Sequence, residues 1–110
     1  MASRILVIIS TAEKAKTLTG IMYAANAQKH KWVDEVRVIF FGPFENLLCE
    51  DDDVVKAASQ LLAYETPIAC KFLSDRDKIS DRLENFGFKV DYVGSMISAL
   101  IEEGYVPMVF

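Results

Sequence analysis

Ile5-Leu6-Val7-Ile8-Ile9 is an unbroken aliphatic run, and Ser10-Thr11 follow it at once. A short run of β-branched and aliphatic residues with no polar alternation reads as a strand covered on both faces, as in a parallel sheet. A second such run, Val36 to Phe41, ends at Gly42-Pro43, a strong breaker. Between the two runs the period changes. From Ala12 to about Lys29, Ala15, Leu18, Met22 and Ala25 recur at spacings of three and four, with Ile21 widening the stripe, which predicts an amphipathic helix packed through those residues. Ser10 and Thr11 offer capping oxygens, and Glu13 places an anion at the helix start. Lys29 and Lys31 place cations at its end, so Lys29-His30-Lys31 reads as a helix terminus.

The same alternation continues to the end of the chain. A short helical stretch, Phe44 to Cys49, precedes Glu50-Asp51-Asp52-Asp53. Those carboxylates lead directly into Val54, Val55, Ala58, Leu61 and Leu62 at helical spacing, so the acidic run reads as a solvated helix start. It has no glycine where a calcium loop needs one. Pro67 to Leu73 reads as a third strand, with Ser74 capping a helix that carries Ile79, Leu83 and Phe86 inward and ends at Gly87. Phe88 to Val93 alternates apolar and polar residues, as an edge strand does. Gly94-Ser95 opens a last helix with the apolar Ile97, Leu100 and Ile101, closed by Gly104. Tyr105 to Phe110 is a fifth strand, and Pro107 assigns it to an edge because proline cannot donate a ladder hydrogen bond.

Strands separated by helices, with no repeat and no linker, predict one α/β domain over residues 1–110. The expected architecture is a three-layer α/β/α sandwich around a five-stranded, mainly parallel sheet. The two most apolar strands belong in the centre and the fourth and fifth at the edges. The order 4-3-2-1-5 meets both demands, whereas 2-1-3-4-5 would expose the second strand.

Composition narrows the function. Sixteen acidic against twelve basic residues give a net charge of −4, which argues against a general nucleic-acid binder. The chain is 52% hydrophobic, which excludes intrinsic disorder and leaves apolar material for a subunit interface. No apolar run approaches the roughly 20 residues that span a bilayer. Met1-Ala2-Ser3-Arg4 lacks the pattern of a signal peptide, so a cytoplasmic protein is expected. One histidine and two cysteines, Cys49 and Cys70, do not make a four-ligand zinc site or a CxxC motif.

In open parallel sheets, sites form beyond the carboxyl ends of the strands. The first such loop, Ser10 to Lys14, has no G-x-G-x-x-G and no Walker glycines. No aspartate ends a central strand as a phosphate-accepting receiver requires. Cys70 is left, toward the carboxyl end of the third strand. A nearby cation or helix start would raise its thiolate fraction, whereas Asp75 and Asp77 oppose this. A cysteine between Ile68 and Phe72 also reads as a small buried hydrophobe.

Thr66-Pro67-Ile68-Ala69-Cys70, the glycine-ended helix Ile79 to Gly87, Val90-Asp91-Tyr92-Val93-Gly94, and the closing Ile101-Glu102-Glu103-Gly104-Tyr105-Val106 resemble the DsrE-like (DsrE/DsrF-like, YchN-like) sulfur-metabolism family. The front half is similar more loosely, through its first strand, an alanine-rich helix and Phe41-Gly42-Pro43. The resemblance implies a three-layer fold, homotrimers or hexamers, and sulfur relay through a persulfide on Cys70, with donor and acceptor proteins as partners; the residues themselves lead us to expect no cofactor and no metal. Lys71-Phe72-Leu73 is bulkier than the small or polar residues that follow the cysteine in many relatives. The alternative reading is a non-enzymatic oligomeric module of the same fold that binds a small ligand or assembles, with Cys70 inert. A flavin- or nucleotide-binding domain rests on fold analogy alone.

Overall fold

The computed structural model describes residues 2–110; Met1, part of the opening stretch, lies outside them. Five strands, β1 (Arg4–Ile9), β2 (Glu35–Phe40), β3 (Ile68–Cys70), β4 (Lys89–Asp91) and β5 (Val106–Val109), form an all-parallel sheet. Its order is β4-β3-β2-β1-β5, as the apolar pattern predicts. Six α-helices connect them: α1 (Lys14–Lys29), α2 (Phe44–Glu50), α3 (Asp52–Ser59), α4 (Lys71–Arg76), α5 (Ser80–Asn85) and α6 (Gly94–Glu102). A 3-10 turn, Gln60–Ala63, extends α3.

The order explains the layers. From β1 to β4 each right-handed crossover steps the same way, so the intervening helices gather on one face of the sheet. The step from β4 to β5 returns past β1 and carries α6 to the other face. Ile5, Val7, Ile9, Val36, Val38 and Phe40 meet Ile21, Ala24, Phe44, Leu48, Val54 and Leu83 on the first face. Leu6, Ile8, Ile39, Ile68 and Cys70 meet Val93, Leu100 and Tyr105 on the second. Phe40 anchors the first core. Its ring stands edge-on to Phe44 at 4.9 Å and to Phe88 at 5.1 Å between centroids.

Several expectations need correction. The inward face of α1 is Thr17, Gly20, Ile21, Ala24 and Ala27, whereas Met22 and Ala15 are exposed. Small residues make up most of that face, with Ile21 as its large aliphatic member, and Met22 rotates outward. Glu13 takes the cap position; Thr11 instead accepts from the Glu13 amide at 3.1 Å. The third strand stops at Cys70, because Lys71-Phe72-Leu73 already form the first turn of α4. Ser74 therefore lies inside a helix and is fully buried, not at a cap. The predicted single helix up to Gly87 is two, α4 and α5, broken where Lys78 adopts φ +59°. On α6 Leu100 is buried, as its place in the apolar stripe predicts, whereas Ile101 is exposed. The acidic run behaves as expected: the Asp51 carboxylate accepts from the amides of Asp53 and Val54 and caps α3. Among the described residues no helix is long and apolar enough to cross a membrane.

Candidate functional site at the carboxyl end of the sheet

Cys70 is the last residue of β3 and the residue from which α4 starts. Its extended backbone (φ −66°, ψ 114°) turns the chain from sheet to helix, and its side chain makes no capping hydrogen bond. In the sheet it pairs with Asp91 of β4. It shares the second core with Ile39, Ile68 and Val93 and is 5% exposed. Both cysteines are free thiols, and Cys49 lies half-buried on α2. The site thus combines a rim position with a largely covered sulfur.

What covers the rim is mixed in character. Phe72 and Tyr92 are exposed beside Cys70 in sequence or across the strand pair. The Lys71 ammonium stands 6.0 Å from the Tyr92 ring centre and 3.2 Å from Asp75. The hydrogen bond and charge of Asp75 raise the Lys71 pKa, so this cation stays paired to its own helix. Ser80 donates to Asp75 at 2.5 Å, which commits its single proton. The buried Ser74 hydroxyl, 2.6 Å from Ser80, is therefore the donor of that pair. This chain of Ser74, Ser80 and Asp75 pins α5 to α4.

Sequence reading passed over one residue of this end of the sheet. Glu45, the second residue of α2, is 1% exposed, and neither carboxylate oxygen has a hydrogen-bond partner among the described residues. Burial, and then the charge of Asp77, push its pKa up to about 8; the Gly42 backbone and Arg76 oppose the shift without cancelling it. Desolvation wins over both, so Glu45 is a neutral acid near pH 7. Arg76 pairs with Asp77 at 3.0 Å, and its guanidinium feels both Glu45 and Cys70. On the far side of α2, Arg82 donates to the Cys49 carbonyl at 2.7 Å. Burial pushes the Cys49 thiol up, with Arg82 opposing and Glu50 and Glu45 adding to it. A glutamate in the first turn of a helix ordinarily signals a solvated dipole partner, so nothing in Phe44-Glu45-Asn46 marks it as buried.

An open groove lies elsewhere. A groove of about 550 Å³ runs along the amino ends of the strands, lined by Lys31, Asp34, Glu35, Arg37, Glu65 and Tyr105. Within it Tyr105 donates to Glu35, and Arg37 pairs with Glu65 at 3.6 Å. It sits at the opposite end of the sheet from Cys70. Among the described residues no group of three or more metal-ligating side chains converges.

Fold and rim define an all-parallel α/β protein with a free thiol at the carboxyl end of an inner strand. No family model matches the chain, and no curated protein matches it. The fold is similar to that of a solved structure, BT1422 from Bacteroides thetaiotaomicron, described as a conserved protein of unknown function. The TM-score is 0.84 at 22% identity, over 96% of this chain and 93% of the other. At that identity the likeness shows the fold alone.

Proposed function

We propose that the chain is a DsrE-like sulfur carrier that holds sulfane sulfur on Cys70. The observation that carries the reading is the place of Cys70, a free thiol ending β3 at the rim where parallel sheets build their sites. The Cys70 thiol first loses its proton to solvent. The thiolate then attacks the outer sulfur of a donor persulfide. A bond forms between Cys70 Sγ and that sulfur, the donor S–S bond breaks, and the donor leaves as a thiolate with the electron pair. An acceptor thiolate repeats the exchange and regenerates Cys70. Self-association into trimers or hexamers belongs to the same reading. Exposed Phe72, Tyr92, Ile101, Val106 and Val109 give it an apolar surface to bury. Two unpaired cysteines suit a reducing, cytoplasmic setting.

The test is intact mass after incubation with a sulfane donor. Wild type gains one sulfur atom and Cys49→Ala gains the same, whereas Cys70→Ala gains none. Equal loading of Cys70→Ala, or no loading of wild type, overturns the proposal.

A second reading has its own support. Cys70 is 5% exposed and packed among aliphatic side chains, as an inert core thiol would be. The chain is then a non-enzymatic assembly or small-ligand module. Alkylation of Cys70 in the folded protein as slow as in a fully buried thiol, together with no sulfur uptake, selects it.

A further inference from the structure

We propose that Glu45 is a proton-operated latch: neutral, it lies sealed beneath the corner between α4 and α5, and loss of its proton loosens that corner and uncovers Cys70. The argument starts from burial. A carboxyl group with 1% exposure and, among the described residues, no hydrogen-bond partner on either oxygen is stable there only while uncharged. Once ionised it has only the Gly42 backbone and the Arg76 charge to set against its burial, which do not suffice, and some neighbour has to give way.

The neighbours differ in how firmly they are held. On the sheet side, the Phe44 amide donates to the Ser10 carbonyl at 3.0 Å and the Glu45 amide to Gly42 at 3.1 Å, and β1 and β2 are locked in register there. On the other side stands the corner from Arg76 to Ile79. It is a single turn closed by Asp77 donating to Leu73, Lys78 to Asp75 and Ile79 to Ser74, at 2.9 to 3.1 Å. Lys78 there holds φ +59°, a strained backbone for a residue with a side chain. The corner is therefore the side that yields.

Charge acts in the same direction. From α4 and its end, Asp77 repels an ionised Glu45 and Arg76 attracts it, and before α2 the Gly42 backbone supports the charge; from its own helix Cys49 faces it, and from α5 Arg82 is occupied by the Cys49 carbonyl. Ionisation sets Glu45 against Asp77 and competes for Arg76, which weakens the Arg76–Asp77 pair at the corner itself. Since α4 begins at Cys70 and its Leu73 packs against the core that holds the thiol, movement of the corner carries part of that cover with it. The latch holds whether or not Cys70 carries sulfur, and its test uses no sulfur donor.

The test compares iodoacetamide alkylation of Cys70, located by peptide mass, in Cys49→Ala and in Cys49→Ala/Glu45→Gln between pH 5 and 8. The ratio of the two rates cancels the intrinsic ionisation of the thiol. A latch makes that ratio climb with pH, by at most about tenfold per unit, because the open state binds fewer protons than the closed one. In the unsubstituted protein, hydrogen exchange at Asp77, Lys78 and Ile79, corrected for intrinsic base catalysis, accelerates together with the Glu45 carboxyl titration seen by carbon-detected NMR. A flat rate ratio, or a Glu45 titration that leaves the exchange of those three amides unchanged, overturns the latch. The NMR arm stands even where Glu45→Gln does not fold.

Discussion

Gly20 of α1 lies directly under the ring of Phe110: a methyl group added at Gly20 would stand 2.7 Å from Phe110 Cγ and 3.0 Å from its Cβ. Phe110 has little room to retreat, because its amide donates to Ile8 and its carbonyl accepts from Ser10 at 2.8 and 2.7 Å. Gly20→Ala therefore sets two effects against each other. Helix propensity favours alanine by about 1 kcal/mol, while forcing a methyl into a filled contact costs about 1–3 kcal/mol. The clash wins. Urea denaturation should show Gly20→Ala less stable than wild type by roughly 1 kcal/mol. In a Phe110→Ala background the same substitution should become stabilising, and an unchanged sign there would discard the explanation.

Glu45 makes stability depend on pH in a direction opposite to that of most carboxylates. Its pKa in the folded protein is about 8 against an ordinary value of 4.5, so the native state binds more protons than the unfolded chain between those limits. Below pH 4.5 the group is neutral in both states and contributes nothing. As pH rises from there to 8 the folded state loses ground, and above 8 the loss is complete. Removing that titration, Glu45→Gln should flatten the decline, for a gain of roughly 2–5 kcal/mol at pH 8 relative to pH 4.5. Thermal unfolding of both proteins across that range reads it directly. Parallel curves would show that Glu45 is charged or solvated in the native state.

Strand order was legible because it depends on a coarse quantity, how apolar each strand is. Ile5 to Ile9 and Val36 to Phe40 take the centre, and Pro107 belongs to an edge, as they must. Helix faces were less legible. Periodicity weights large residues, so it put Met22 inward, whereas the sheet and Phe110 select the small stripe of Gly20, Ala24 and Ala27. The site divides in the same way. The rim position of Cys70 was legible because a place near a strand end follows from the pattern, although the strand ends there and not at Leu73. Glu45 was hidden because burial of a polar residue arises from tertiary packing of α2 against α5 and the α4 terminus, which no local spacing encodes.

The Ser74, Ser80 and Asp75 chain is a second case of tertiary packing, and it can be measured. Ser74 is fully buried and gives its proton to Ser80, with the Lys71 carbonyl at 3.3 Å as a poorer acceptor. Ser80→Ala leaves that proton to the weaker bond and should cost about 1–2 kcal/mol. Ser74→Ala/Ser80→Ala removes donor and acceptor together and should cost less than the sum of the single changes, with a coupling of at least about 0.5 kcal/mol. Strict additivity in chemical denaturation would mean that the two hydroxyls do not interact.

Lys78 explains why one predicted helix became two. With φ +59° it occupies the left-handed region, where a Cβ crowds the following carbonyl at a cost of about 1 kcal/mol. The side chain is exposed, so its loss removes no packing. Against the relief stands the extra freedom that glycine gives the unfolded chain, which is of the same order. Asparagine tolerates the left-handed region while keeping a side chain, and so escapes that opposing term. Lys78→Asn should therefore stabilise the fold by about 0.5 kcal/mol, and Lys78→Gly by no more than that. A stabilised corner should also slow hydrogen exchange at Ile79, whose amide closes it on Ser74. If Lys78→Asn lowered stability in denaturant titrations, the turn between α4 and α5 would not be held in the left-handed conformation that divides them.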